Sequence, residues 1–63
     1  MLTKRQIECL KLVAEGKQEK QTGAILGISV RAVDKLMHHA RRNLQAINSP
    51  HAVAKAFRAG IIS

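Results

Sequence analysis

Two glycines four residues apart constrain the fold of this chain more than any other feature. Gly23 and Gly27 lie in the segment EKQTGAILGISVRAVDKLMHHARRNL, residues 19–44. We expect Gly23 to permit a close helix contact and Gly27 to form a tight turn, because glycine adopts positive φ without a steric penalty. Apolar residues that would hold a second helix against the first follow the turn: Ile28, Val33 and Leu36. The segment therefore predicts a helix-turn-helix.

Capping residues predict where the helices begin. Thr3, with Gln6 three residues later, is typical of a capping box, and Ser29 is a favourable N-cap for the helix after the turn. We expect Ser49 to cap the last helix, with Pro50 as its first residue, where a missing N–H is harmless. The four predicted helices span about residues 4–15, 19–26, 30–45 and 50–59.

Apolar residues recur at three- and four-residue steps along these helices, which predicts one buried face on each. The residues expected to face the core are Ile7, Leu10, Val13, Ala14, Ile25, Leu26, Val33, Met37, Ala40 and Leu44. A chain of 63 residues is near the lower limit at which a core folds without a metal or a disulfide. We expect a single all-α domain, residues 1–63, with a compact four-helix fold.

The balance of charge points to a polyanionic partner. Eleven lysines and arginines outnumber four acidic residues, so the formal net charge is +7. Such a field attracts nucleic acid and raises its rate of encounter. A membrane surface is the alternative, but the chain has neither an apolar run of about 20 residues nor a single long amphipathic helix. Double-stranded DNA is therefore the expected partner, and a membrane is not.

The third predicted helix carries its charges away from its apolar stripe, and an α-helix fits the major groove of B-DNA. The N-terminal part of such a helix reaches base edges. The residues predicted to contact bases are Arg31, Asp34, Lys35 and His38. Arg41, Arg42 and Asn43 lie toward the end that meets phosphates. The alternative is that this charged face is only a solvated helix surface, which the glycine turn and the net charge disfavour.

No residue pattern indicates catalysis or metal binding. Cys9 is the single cysteine, so neither an internal disulfide nor a cysteine zinc site can form, and a reducing cytoplasm is the expected location. His38 and His39 are adjacent and point about 100° apart on a helix, so they do not converge on one ion. We find no nucleophile–base grouping and no phosphate-binding loop. We therefore expect no enzyme, cofactor, metal or small-molecule ligand.

Four segments together resemble the LuxR-type, or GerE-like, helix-turn-helix domain over essentially the whole chain: LTKRQIECLKLVAEGK, LGISVRAV, ARRNL and INSPHAVAKAFRAGII. The last segment is most similar to the C-terminal domain of acyl-homoserine-lactone quorum-sensing regulators. The resemblance implies a four-helix fold, a third helix that recognises DNA and a fourth that forms a dimer. It places base contacts at Asp34, Lys35 and His38. It places phosphate contacts near Arg31, Ala32, Arg41 and Arg42.

The chain departs from the usual pattern of this family at several polar positions. Gln6, Gln21, Gly23, Ala32, Leu36 and Ser49 stand where the family usually has Glu, Glu, Ala, Thr, His and Arg. Ala32 lacks the hydroxyl group with which threonine would bind a phosphate. One hypothesis is that opposite charges at positions 6, 21 and 49 were lost together.

The fourth predicted helix carries Val53, Ala56 and Phe57. These side chains either form a twofold dimer interface or simply complete the core. The expected function is a sequence-specific transcription regulator or its effector domain, as a homodimer or a heterodimer. An alternative is a sensorless antagonist that pairs with a full-length regulator. A promoter-binding domain of a sigma factor is a third interpretation, but it does not account for INSPHAVAKAFRAGII.

Overall fold

Every helix of the fold begins directly after a polar residue, and the first example is Thr3, which precedes the helix that starts at Lys4. The computed structural model describes residues 1–63 and contains four helices and no strand. They are α1 (Lys4–Ala14), α2 (Glu19–Leu26), α3 (Val30–Asn43) and α4 (Ser49–Arg58). The predicted all-α, four-helix fold is confirmed. Only α2 has the predicted bounds, since α1 and α3 end one and two residues early and α4 is displaced by one residue.

Side-chain caps define the helix starts. Thr3 Oγ1 accepts from the backbone N–H of Gln6, and Gln6 Oε1 accepts from the N–H of Thr3, each at 3.1 Å, so the predicted capping box is present. The predicted cap of α4 is wrong. Asn48 caps this helix through Oδ1, which accepts from His51 N–H at 2.8 Å, while Ser49 is already helical. The Asn48 amide reaches the third helical residue, which leaves the Ser49 hydroxyl for a different partner.

The core lies where α1, α3 and α4 meet. Its buried apolar residues are Cys9, Leu10, Val33, Met37, Ala40, Ala52, Ala56 and Ile62. Two residues predicted to face the core do not, because Ala14 is exposed and Ile25 is 58% exposed. In α2 the buried residues are Thr22 and Gly23. Ile25 lies about 100° away from the centre of that buried arc, so it faces outward.

The turn between α2 and α3 depends on both glycines. Gly27 has φ +71°, the left-handed conformation that the sequence predicted. A Cβ at Gly23 would lie 2.7 Å from the carbonyl oxygen of Ile28 and 3.5 Å from Val33 Cγ2. The Ile28 N–H donates to the Gly23 carbonyl at 2.9 Å. The close approach that requires glycine is therefore made chiefly by the backbone of the turn itself.

Two long basic side chains tie helices together. Arg5 of α1 donates to the Leu26 carbonyl at the end of α2 and to Glu8 Oε2, both at 2.8 Å. Lys55 of α4 donates from Nζ to the carbonyls of Leu44 and Gln45 at 3.1 Å. Carbonyls at a helix end lack partners within their own helix, so these contacts satisfy groups that would otherwise need water. They hold the end of α2 and the end of α3 in fixed positions.

Candidate nucleic-acid interface

The third helix separates its buried and exposed residues cleanly. Val33, Met37 and Ala40 of α3 are buried in the core. The four residues predicted to contact bases are all exposed: Arg31, Asp34, Lys35 and His38. With Ser29 and Ala32 they line one open depression along the outer side of the helix. The structure thus brings the predicted base-contacting residues onto a single surface.

This surface keeps its positive charge. The only salt bridge in the molecule joins Arg5 and Glu8, on α1. Asp34 is the one carboxylate in the depression and forms no salt bridge with a neighbouring cation. Arg31 and Lys35 are likewise unpaired by acidic groups. A polyanion that approaches α3 therefore meets cations whose charge is not already neutralised.

Arg41 and Arg42 were both predicted to contact phosphates, but they lie on different sides of α3. Arg41 is half-buried and donates from Nη1 to Ser49 Oγ at 3.1 Å. Arg42 is exposed and lines a second, polar depression together with Gln6, His39 and Asn43. Adjacent residues of a helix point about 100° apart, so the two guanidinium groups lie in different surroundings.

The polar residues that depart from the family pattern have separate partners. Gln6 is buried, and its Oε1 also accepts from Asn43 Nδ2 at 3.1 Å. Gln21 Oε1 accepts from the N–H of Gln18 at 2.9 Å, at the start of α2. Ser49 is bonded to Arg41. The structure shows no hydrogen bond among positions 6, 21 and 49 as they stand, and the hypothesis that opposite charges were lost there together stays a prediction.

Asn43, which the sequence places toward the phosphates, is exposed and also joins two parts of the fold. Its Nδ2 joins Gln6 of α1, and the same atom lies 3.4 Å from the Met1 carbonyl. This contact spans 37 residues of sequence and links the first helix to the end of the third. No sequence pattern predicted it, because neither side chain belongs to an apolar stripe.

A third depression lies beside the predicted base-contacting surface, and the sequence did not predict it. It encloses about 290 Å³ and lies between α3, the start of α1 and the glycine turn. Its lining residues, which we call the apolar trough, are Arg5, Ile28, Ala32, Lys35, Leu36 and His39. Ala32, Lys35, Leu36 and His39 are three or four residues apart, which places them on one strip of α3. This spacing could have indicated the strip of α3 from the sequence. Arg5 lies beside the strip only because of tertiary packing.

The predicted dimer residues on α4 differ in exposure. Phe57 is 61% exposed, and Val53 is half-buried against the core. Ala56 is completely buried within its own chain, so it contacts the core and offers no surface to a partner. Ile47, in the loop before α4, is 85% exposed. The apolar surface near α4 is therefore provided by Phe57, Ile47 and part of Val53.

The remaining chemically reactive side chains are not arranged as a catalytic or metal centre. Cys9 is fully buried, and burial, with a smaller effect from the negative charge of Glu19, raises the pKa of its thiol. No three His, Cys, Asp or Glu side chains come together as ligands for a metal ion. None of the four helices combines the length and apolar character needed to cross a bilayer.

Comparisons with known proteins agree with this geometry. The family of bacterial regulatory proteins, luxR family, matches residues 1–56. The chain is 41% identical over 56 residues to the transcriptional activator protein CarR of Pectobacterium carotovorum, covering 89% of this chain and 23% of CarR. It is 36% identical over 62 residues to the quorum sensing-dependent transcriptional regulator VjbR of Brucella melitensis, covering 98% of this chain and 24% of VjbR.

The fold has a solved counterpart. The structure of the transcription factor GerE superposes with a TM-score of 0.94, at 24% identity, and the match covers 98% of this chain and 92% of GerE. At this identity the likeness concerns the fold. The chain spans about a quarter of the length of the relatives CarR and VjbR.

Proposed function

The chain belongs to the luxR family of bacterial regulatory proteins, and we propose that it binds double-stranded DNA sequence-specifically, with α3 in the major groove. The family is one of DNA-binding transcription regulators and not of enzymes. The chain covers only about a quarter of the length of CarR and VjbR. A role in quorum sensing and an action on transcription are therefore part of the proposal. Such a role would place the chain in the bacterial cytoplasm, where the DNA lies.

The observation that carries the proposal is the exposed row on α3. Arg31, Asp34, Lys35 and His38 line one surface while the opposite side of the same helix is buried. Arginine and lysine donate to guanine O6 and N7, and a carboxylate accepts from the cytosine amino group. Lys35 and Asp34 thus supply complementary chemistry for the two bases of a G·C pair. The other two residues extend the row along the groove.

Phosphate contacts would flank this row. Arg31 and Arg42 are exposed, and Arg41 keeps further N–H donors besides the one bonded to Ser49, because a guanidinium carries five. The N–H of Ala32 already donates to Ser29 Oγ at 3.1 Å, so Ala32 can contribute only its methyl group. The phosphate contacts would therefore be made by arginines rather than by position 32.

We also propose that two copies pair through α4. The exposed ring of Phe57, with part of Val53, supports this pairing. A twofold dimer would place the two copies of α3 about 34–36 Å apart and would read a near-palindromic site. Phe57→Ala should shift the protein toward monomer in analytical ultracentrifugation. Ile25→Ala, which removes another exposed apolar side chain, should not.

Selection from a random duplex pool tests DNA binding directly. A regulator should enrich one sequence, and its affinity for that sequence should fall at least about tenfold between 50 and 200 mM salt, because neutralised phosphates release counterions. The same measurement on unselected duplex gives the non-specific baseline. Failure to enrich any sequence would contradict the proposal.

An antagonist that pairs with a full-length regulator is the second candidate, and the exposure of Phe57 favours it to the same degree. Mixing the chain with full-length CarR separates the two functions. An antagonist should form a heterodimer in sedimentation, should reduce binding of CarR to its DNA and should select no sequence alone. A regulator should select its own sequence whether or not CarR is present.

A further inference from the structure

The apolar trough has a floor and a rim of different chemistry. Ile28, Ala32 and Leu36 are its apolar residues, and all three are half-buried. Arg5, Lys35 and His39 are exposed around them. No carboxylate lines the trough itself, in contrast to the neighbouring depression that contains Asp34, and the one carboxylate paired with a rim residue is Glu8, which binds Arg5. An occupant should therefore bring a small apolar group into the floor and negative charge to the rim.

The trough is continuous with the surface proposed to contact bases. Ala32 and Lys35 line both depressions, so a molecule bound along α3 passes directly over the trough. The Arg5 guanidinium is held at the rim by its bonds to Glu8 and to the Leu26 carbonyl, both at 2.8 Å. Because it is already ordered, placing it near a phosphate costs little side-chain entropy. Position and rigidity both suit a duplex lying along this helix.

We propose that the apolar trough receives the C5-methyl group of thymine, and that Leu36 is a specificity-determining residue for DNA. The inference rests on the proposed DNA binding and extends it to a residue that makes no hydrogen bond. The C5-methyl group is the apolar feature that a base pair presents in the major groove. Leu36 and the Ala32 methyl would contact it, Lys35 would keep its proposed contact with the neighbouring base, and Arg5 and His39 would face the phosphates. The trough would then favour thymine over cytosine at one base pair of each half-site.

An apolar contact of this kind has a distinctive signature. Deoxyuridine pairs like thymine but lacks the methyl group, and 5-methylcytosine adds that group to cytosine. Burying one methyl-sized group favours binding by about fourfold. The duplex chosen in the selection experiment can therefore be remade with one thymine at a time replaced by deoxyuridine, and with one cytosine at a time replaced by 5-methylcytosine.

Fluorescence anisotropy with these duplexes tests the proposal on the parent protein. We expect one thymine per half-site whose replacement by deoxyuridine weakens binding about fourfold. Leu36→Ala should weaken binding to the thymine duplex and should bind the thymine and deoxyuridine duplexes equally. Ile25→Ala, on α2 and outside the trough, should keep the full preference.

Two results would overturn the inference. In the first, the parent protein selects a sequence yet binds every deoxyuridine duplex as tightly as the thymine duplex. The occupant of the trough would then be a protein partner and not thymine. The other is a Leu36→Ala protein that still discriminates fourfold. If Leu36→Ala does not fold, Leu36→Gln keeps the side-chain length and should reduce the preference as well. Absence of sequence selection would instead count against the proposed function itself.

Discussion

The turn between α2 and α3 and the outer face of α3 are neighbours in sequence but have opposite tolerance to substitution. At the turn, a single added carbon on Gly23 would lie 2.7 Å from the Ile28 carbonyl oxygen. Val33, just beyond it, is completely buried. On the outer face, Arg31 and Lys35 are exposed and support no other side chain by a hydrogen bond or salt bridge.

This contrast indicates that the residues that hold the fold differ from those proposed to contact DNA. Changes at the turn should unfold the domain and abolish every activity together. Changes on the outer face should alter DNA binding and leave the unfolding free energy nearly unchanged, since exposed substitutions rarely exceed about 0.5 kcal/mol. Substitutions that violate this separation would show that the two regions are coupled.

The largest effect is expected at Gly23. Gly23→Val forces backbone to move, because the new side chain meets the Ile28 carbonyl. Overpacking and the poor helix propensity of valine together should lower the free energy of unfolding by about 3 kcal/mol, a large share of the stability of so small a domain. Urea unfolding followed by circular dichroism measures this loss.

Ala24→Val is the matched control for Gly23→Val. Ala24 is the next residue of α2 and is exposed, so valine there should cost only its helix propensity, roughly 0.7 kcal/mol. Equal losses in the two variants would mean that the turn is not as tightly packed as the structure indicates.

On the outer face, Lys35→Ala should weaken binding to the selected duplex by about 1–3 kcal/mol and relax the sequence preference. The midpoint of urea unfolding should not change. Anisotropy titration at fixed salt measures the affinity. Lys11→Ala removes the same charge from the outer side of α1, in a depression near Ile62, and should have a much smaller effect. A similar loss in both variants would indicate that only net charge matters.

A smaller change, an increase in the free energy of unfolding, is expected for a substitution at Thr22, beside Gly23. Thr22 is completely buried, and its hydroxyl oxygen has no hydrogen-bond partner. Thr22→Val should therefore stabilise the domain by about 1 kcal/mol, because it removes a polar group that is desolvated without compensation. Thr3→Val is the contrasting variant, since it removes the hydroxyl that caps α1, and should cost about 1 kcal/mol. Destabilisation by Thr22→Val would reveal a contact for that hydroxyl.

The smallest effect concerns Cys9. Burial raises the pKa of its thiol in the folded chain above the ordinary value of 9.0, so the folded state favours the protonated form. This contribution to stability is complete below pH 9.0 and is lost as the pH rises through the folded pKa. Urea unfolding at pH 8 and pH 10 should show a decline that is smaller in Cys9→Ala. An identical decline in both proteins would mean that the Cys9 thiol does not contribute to it.

Local features of the sequence accounted for most of the fold. The capping box at Thr3, the Ser29 cap, the positive φ at Gly27 and the buried stripe of α3 all follow from contacts within a few residues. Such contacts depend on helix geometry alone, so a single sequence is enough to predict them. The four residues proposed to contact bases were found together for the same reason, since they lie on one side of one helix.

Other features depended on which helices meet. The outward position of Ile25 and the complete burial of Ala56 follow from how α2 and α4 are oriented against the core. The different surroundings of Arg41 and Arg42 arise only once α4 and α1 are placed beside α3. Periodicity predicts that a helix has an apolar face, but the neighbouring elements decide how wide that face is.

By itself the sequence determined four helices, a glycine turn, a basic third helix and membership of the luxR family. Only the tertiary structure decided that Asn43 bonds Gln6, that Lys55 holds the end of α3, and that Arg5 completes the apolar trough. The reason is physical. Caps and helical periods are contacts between residues a few positions apart, whereas these contacts join residues from different helices and exist only after the core has packed.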